Sequence, residues 1–129
     1  MDARLLLDTG PLLRLLRGHQ PTVQLIRTIG RTDRLAISTV TRLEIHAGMK
    51  ANETYRTQKL LSRFTPYAVD RDIADLAGDL LARQTHRITG MGVADAIIAA
   101  TALTLALTLV TYHQIHFQGI PGISLYPLE

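Results

Sequence analysis

Cysteine is absent from the 129-residue chain, which excludes disulfides, thiolate metal centres and cysteine nucleophiles and is compatible with a reducing cytoplasm. Lysine is nearly absent: Lys50 and Lys59 stand against 12 arginines, for a formal net charge of +3. Arginine's planar fork suits phosphate, so a polyanionic partner is admissible on charge, although an arginine-rich proteome would leave the same mark. Long apolar runs are also missing. The N-terminal one is cut short by Asp8, so no signal peptide is expected. The uncharged run after Asp95 falls short of the ~20 apolar residues of a membrane span and carries Thr101, Thr104 and Thr108. Repeats, linkers and low-complexity tracts do not occur. A composition of 47% hydrophobic and 19% charged residues describes an ordinary globular domain, a single one over 1–129.

What is present is organised around Leu5-Leu6-Leu7-Asp8-Thr9-Gly10-Pro11. An apolar run bounded by Gly and Pro suits a strand buried on both faces in the middle of a parallel sheet. Pro11 fits the first turn of a helix to about Arg17, ended by Gly18, and Pro21 opens a second, Val23 to Ile29, closed by Gly30. Leu35 to Ser38 is a short strand. Thr41-Arg42-Leu43-Glu44 has the spacing of a capping box, with a helix to about Lys50. A polar helix is expected from Glu53 to Phe64 and a third strand from Pro66 to Val69. Asp70 or Asp72 caps an amphipathic helix to about Thr85, on which Asp75 and Asp79 read as a solvated face. After the joint Gly90-Met91-Gly92, Val93 to Leu107 is a buried helix apolar almost all round, with Ala99, Ala102 and Ala106 on the Asp95 side. Leu109 to Thr111 and Ile123 to Leu125 are the last strands. Strands alternating with helices predict a parallel sheet covered on both faces, with right-handed crossovers.

Most of the 11 acidic residues lie among polar neighbours, but Asp8, Glu44 and Asp95 sit beside strongly apolar segments. Asp8 ends a strand, while Glu44 and Asp95 are expected in the first turns of helices, and in a parallel sheet those places share one edge, where ligands bind. Asp8 could instead cap its helix and Glu44 serve only the capping box. Three carboxylates gathered at one edge repel one another unless a cation neutralises them, and oxygen ligands favour a hard ion such as Mg²⁺ or Mn²⁺. Such an ion suits phosphodiester hydrolysis.

LLLDTGPLL, ISTVTRLEIHAG, ADAIIAATAL and TLVTYHQIHFQGIPGISL, in that order, resemble the PIN-domain nucleases, most closely the VapC-like toxins of toxin–antitoxin pairs. The four blocks run from Leu5 to Leu125. The resemblance implies a three-layer α/β/α fold around a central parallel sheet. It also implies a metal-dependent endoribonuclease that uses Mg²⁺ or Mn²⁺, acts on RNA, is restrained by a cognate antitoxin and commonly forms a homodimer. Asp8, Glu44 and Asp95 match the family's first three acidic positions, as catalytic residues and metal ligands, and Thr9 matches the hydroxyl residue after the first. A metal-activated water would attack the RNA phosphorus and the 3′ oxygen would leave. Arg14, Arg17 and Arg42, close in sequence to the acids, are candidates for the RNA backbone.

The chain departs from the family after Thr111. Where Asn is usual, then Asp or His three residues later, it has His113, His116 and Phe117. No acid fills the fourth position, which predicts a weak or absent second metal site. Either histidine could ligate a softer metal, hold a phosphate as imidazolium, or simply pack; a supporting role beside the acids is expected for His116. A PIN domain that has lost catalysis and serves as an RNA- or protein-binding module is the alternative function. A phospho-acceptor signalling domain would want a pair of acids after the first strand and a lysine after the last, and this chain has neither.

Overall fold

The computed structural model describes residues 2–83 and 90–128. Strand β1 (Leu5–Leu7) is the middle of a five-stranded, all-parallel sheet, paired on one side with β2 (Leu35–Ser38) and on the other with β4 (Thr108–Val110). β3 (Thr65–Tyr67) and β5 (Ser124–Leu125) form the edges, giving the order β3-β2-β1-β4-β5. Six α-helices are described: α1 (Thr9–Leu16), α2 (Gln20–Ile29), α3 (Thr39–Gly48), α4 (Thr54–Leu61), α5 (Arg71–Ala82) and α6 (Val93–Leu105).

The unbroken apolar run of β1 follows from helices on both faces. Leu5 and Leu7 point to one side with Leu35, Ile37 and Val110, and pack against Leu12, Ile26, Ile29, Ile45 and Leu61 of α1 to α4. Leu6 points to the other with Ala36 and Leu109, against Ile73, Ala77 and Leu80 of α5 and the alanines of α6. A strand covered on one face only would need a polar residue at every second position. Burying each leucine contributes about 1.5–3 kcal/mol. Ala99 and Ala102 lie in the core shared with α5, and Asp75 and Asp79 are exposed as expected.

Several boundaries differ from the sequence expectation. Helix α1 starts at Thr9, two residues before Pro11, because Asp8 caps it. Helix α3 starts at Thr39, because the Ser38 hydroxyl at the end of β2 accepts from the Val40 N–H at 3.1 Å. The Thr41–Glu44 capping box therefore does not form: Thr41 lies inside the first turn, fully buried, and Glu44 falls in the second turn. Losing the Ser38 hydroxyl leaves a cap unmade at a fully buried position, so Ser38→Ala should lower stability by about 1 kcal/mol. A urea midpoint equal to that of the parent protein would argue that another group takes the cap.

The polar segment after Lys50 divides into a 3-10 turn, Ala51–Glu53, and α4, which stops at Leu61 so that Phe64 can enter the core. Strand β3 is shorter and earlier than expected, and Pro66 is tolerated in it because an edge strand can lack an N–H donor. Asp70 caps α5 by accepting from Ile73 N–H at 2.9 Å, and α5 ends at Ala82; the expected extension to Thr85 runs into 84–89, outside the described residues. Helix α6 stops at Leu105 because Ala106 turns left-handed, with φ 55°. The chain enters β4 at Thr108, one residue earlier than expected, and β5 is confined to Ser124 and Leu125.

Candidate active site

From β1 the chain winds outward through β2 and β3 on one side, and β4 and β5 lie on the other. The carboxyl ends of β1 and β4 therefore open a crevice at the point where the winding reverses, the usual ligand site of an open parallel sheet. Asp8 and Thr111 stand there side by side. The Asp8 N–H donates to the Val110 carbonyl at 3.0 Å. Its carboxylate is gripped twice: Oδ1 accepts from the Thr9 N–H at 2.8 Å and Oδ2 from the Thr111 hydroxyl at 2.7 Å. Asp8 thus caps α1 through one oxygen while the other is held by Thr111. Asp8 is only 4% exposed. Burial pushes its carboxyl above the usual aspartate range, against the lowering effect of those two hydrogen bonds; the Asp95 charge adds to the rise and His113 opposes it.

Thr9 and Glu44 make the second link. The Thr9 hydroxyl lies 2.7 Å from Glu44 Oε1 and 3.0 Å from the Thr41 hydroxyl, tying the first turn of α1 to α3. Asp95 sits in the first turn of α6, where its carboxylate faces the Gly92 N–H at 3.4 Å. His116 Nδ1 is 3.1 Å from Asp95 Oδ2, shielded from solvent and without a directed hydrogen bond. His113 stacks on His116 with ring centroids 5.2 Å apart and planes 12° from parallel. Its backbone N–H donates to the Thr111 hydroxyl at 3.0 Å, a bond that any residue but proline could make.

The three acids thus share the carboxyl edge: Asp95 is close enough to perturb Asp8, and Asp8 and Glu44 are joined through Thr9. Among the described residues, no three His, Cys, Asp or Glu side chains converge tightly enough to enclose an ion as they stand. Glu44 is turned to the Thr9 hydroxyl, and mutual repulsion opposes closer approach. The donor chemistry nevertheless fits a hard divalent cation, because Asp8 is a buried carboxyl destabilised by its surroundings and by a neighbouring carboxylate, the condition that a cation relieves.

The arginines are placed unequally. Arg17 is exposed and lines a cleft with Glu44, Lys50 and Arg56. Arg42 is half-buried on α3. Arg14 lies over the Tyr112 ring, its Cζ 4.1 Å from the centroid. Sequence reasoning missed Thr111, whose position at the end of an apolar strand is the signal that Ser38 also gives.

Residues 5–118 match the PIN domain family. The chain is 32% identical over 113 residues to Ribonuclease VapC10 of Mycobacterium tuberculosis, covering 88% of this chain and 85% of that protein. It is 30% identical over 120 residues to Ribonuclease VapC19 of the same organism, covering 92% and 96%. Among solved structures, a toxin–antitoxin complex from Klebsiella pneumoniae contains a chain that superposes with a TM-score of 0.73 at 30% identity, covering 96% of this chain and 99% of that one.

Proposed function

This chain belongs to the PIN-domain family, and from that premise we propose that it is an RNA-cleaving hydrolase, the toxin of a toxin–antitoxin pair, dependent on Mg²⁺ or Mn²⁺. The observation that carries the reading is the buried Asp8 beside Asp95 at the switch point of the sheet. Its relatives' names, Ribonuclease VapC10 and VapC19, supply the substrate class. Asp8, Glu44 and Asp95 would hold the ion, which when bound polarises a phosphoryl oxygen and lowers the pKa of water. The remaining residues position these three. Thr111 and the Thr9 N–H fix the Asp8 carboxylate, the Thr9 hydroxyl holds Glu44, and His116 flanks Asp95.

Restraint by an antitoxin is supported by the Klebsiella pneumoniae complex and by a cleft of about 770 Å³ between α1, α2 and α4, with Leu15, Val23 and Phe64 in its lining and Arg27, Arg31 and Arg63 beside them. The expectation of a homodimer rests on surplus apolar surface of the first two helices; Leu13, Leu15, Leu16 and Leu25 are packed in part against the core, and Leu15 and Val23 reach this cleft. A protein that stays monomeric at high concentration would count against self-association and leave the hydrolase reading standing. Among the described residues no helix is long and apolar enough to cross a membrane, and the proposed place of action is the cytoplasm.

Purified protein incubated with defined RNAs, with Mn²⁺ and with EDTA, tests the hydrolase reading; RNA left whole in both would overturn it. The histidines separate an active enzyme from a binding module. His113 is exposed and contributes to Thr111 only through its backbone, so His113→Asn should cleave as well as the parent or better. His116→Ala removes the imidazole beside Asp95 and should lower cleavage a few-fold. Complete loss of cleavage in folded His113→Asn would make that imidazole a direct participant.

A further inference from the structure

Without its cation the carboxylate site repels the phosphates of the RNA that it is proposed to cut, and a cationic side chain beside it offsets that repulsion. We infer that Arg14, laid on the ring of Tyr112, is a preformed binding point for an RNA backbone phosphate next to the carboxylate site, and that Tyr112 is the residue that positions it. This rests on the hydrolase reading above and names a substrate contact within it.

The placement follows from the fold. Arg14 is six residues beyond Asp8 on the helix that Asp8 caps, about 9 Å along the axis. Tyr112 directly follows Thr111, the residue that grips Asp8. The tyrosine cannot swing freely. Its hydroxyl lies 2.8 Å from the Thr22 hydroxyl, which is itself 2.8 Å from His19 Nδ1, and Thr22 is fully buried in α2. The chain His19–Thr22–Tyr112 therefore locks the start of α2 to the loop after β4, with the aromatic face fixed beneath the Arg14 guanidinium at 4.1 Å.

A guanidinium held over an aromatic face engages the ring through its carbon and leaves N–H groups at its edge for contact with a phosphate. Arg14 is half-buried with no carboxylate partner among the described ion pairs. This contrasts with Arg4, at the other end of β1, which donates from Nε to Asp33 at 2.9 Å. The cost of ordering a long side chain on binding is thus reduced at Arg14 before RNA arrives.

Binding of a short fluorescent single-stranded RNA, followed by anisotropy over a salt series in EDTA, tests the inference independently of hydrolysis. The parent for every variant is Asp8→Asn, which lessens repulsion and prevents cutting. Arg14→Gln should weaken binding about three- to tenfold and reduce the slope of log K against log salt by about 0.7, the loss of one single-strand phosphate contact. Arg4→Gln removes the same charge about 13 Å from Asp8 along the strand and should leave the slope unchanged. Arg14→Lys should keep the slope but weaken affinity, because the ammonium lacks the planar stack. Tyr112→Leu should weaken binding about threefold, and Tyr112→Phe, which keeps the ring but loses its anchor on Thr22, should weaken it less. A slope that Arg14→Gln leaves untouched, or that Arg4→Gln lowers equally, would overturn the inference. Failure of the parent to bind RNA at all in EDTA would overturn the inference too, because a preformed phosphate contact needs no cation, whereas the hydrolase reading is overturned only by RNA left whole with Mn²⁺.

Discussion

Asp8→Asn is expected to abolish most RNA cleavage and, in the same protein, to raise the melting temperature. The two effects have one cause. The Asp8 carboxylate is almost wholly removed from water and faces the charge of Asp95, both of which disfavour its ionised form. Asparagine occupies the same space and can still accept from the Thr9 N–H, while the Thr111 hydroxyl can turn to accept from the new amide. The substitution therefore removes a buried charge and keeps the hydrogen bonds. Loss of one preorganised charge at a reacting phosphate lowers turnover by about 10²–10³-fold.

The sign of the stability effect can be checked by pH. The folded-state pKa of Asp8 lies above the ordinary 3.8, so between the two values the folded protein holds more protons than the unfolded chain. Stability of the parent protein then falls as pH rises through that window, and the penalty is complete above the folded pKa. The advantage of Asp8→Asn should accordingly be full at neutral pH and vanish as pH drops below the ordinary aspartate range. One pKa unit corresponds to about 1.4 kcal/mol, or roughly 4–7 °C in a chain of this size. Melting curves in EDTA at neutral and acid pH measure the difference directly. An Asp8→Asn protein that melts lower than the parent at neutral pH would make Asp8 a structural carboxylate whose charge the fold requires.

The elements most legible in the sequence are those with a single physical solution. Leu5 to Leu7 reads as a central strand, since three apolar residues followed closely by Gly10 and Pro11 suit two covered faces, and Gly18 could end a helix because it accepts the φ of 74° found there. What could not be read was competition between equivalent local groups. Ser38 and Thr41 are both hydroxyl residues ahead of the same helix, and only the tertiary path of β2 decides that Ser38 takes the cap. The same decision moves Glu44 by a turn and lets its carboxylate meet Thr9 from another helix, a contact across 35 positions. Thr111 was hidden for a related reason: its role depends on β1 and β4 being neighbours, and a strand order is not written in either strand.

Adding Mg²⁺ or Mn²⁺ to metal-free protein should raise its melting temperature by about 10 °C at a concentration a hundredfold above the dissociation constant. A ligand that binds only the folded state contributes about 2.7 kcal/mol at that ratio, and at this chain length each kcal/mol moves the midpoint roughly 3–5 °C. Binding should be confined to the folded state, which holds Asp8 in an unfavourable, desolvated form that a cation relieves, whereas the unfolded chain scatters Asp8, Glu44 and Asp95 along most of its length. EDTA should return the midpoint to its starting value. Asp8→Asn and Asp95→Asn should each remove most of the shift while remaining folded. Asp75→Asn with Asp79→Asn should keep it, because those acids are exposed on α5 and attract cations only through the weak, screened field of any surface pair. A shift that survives Asp8→Asn, or that the Asp75 and Asp79 changes abolish, would place the cation elsewhere and return the carboxylates at the switch point to a capping and packing role.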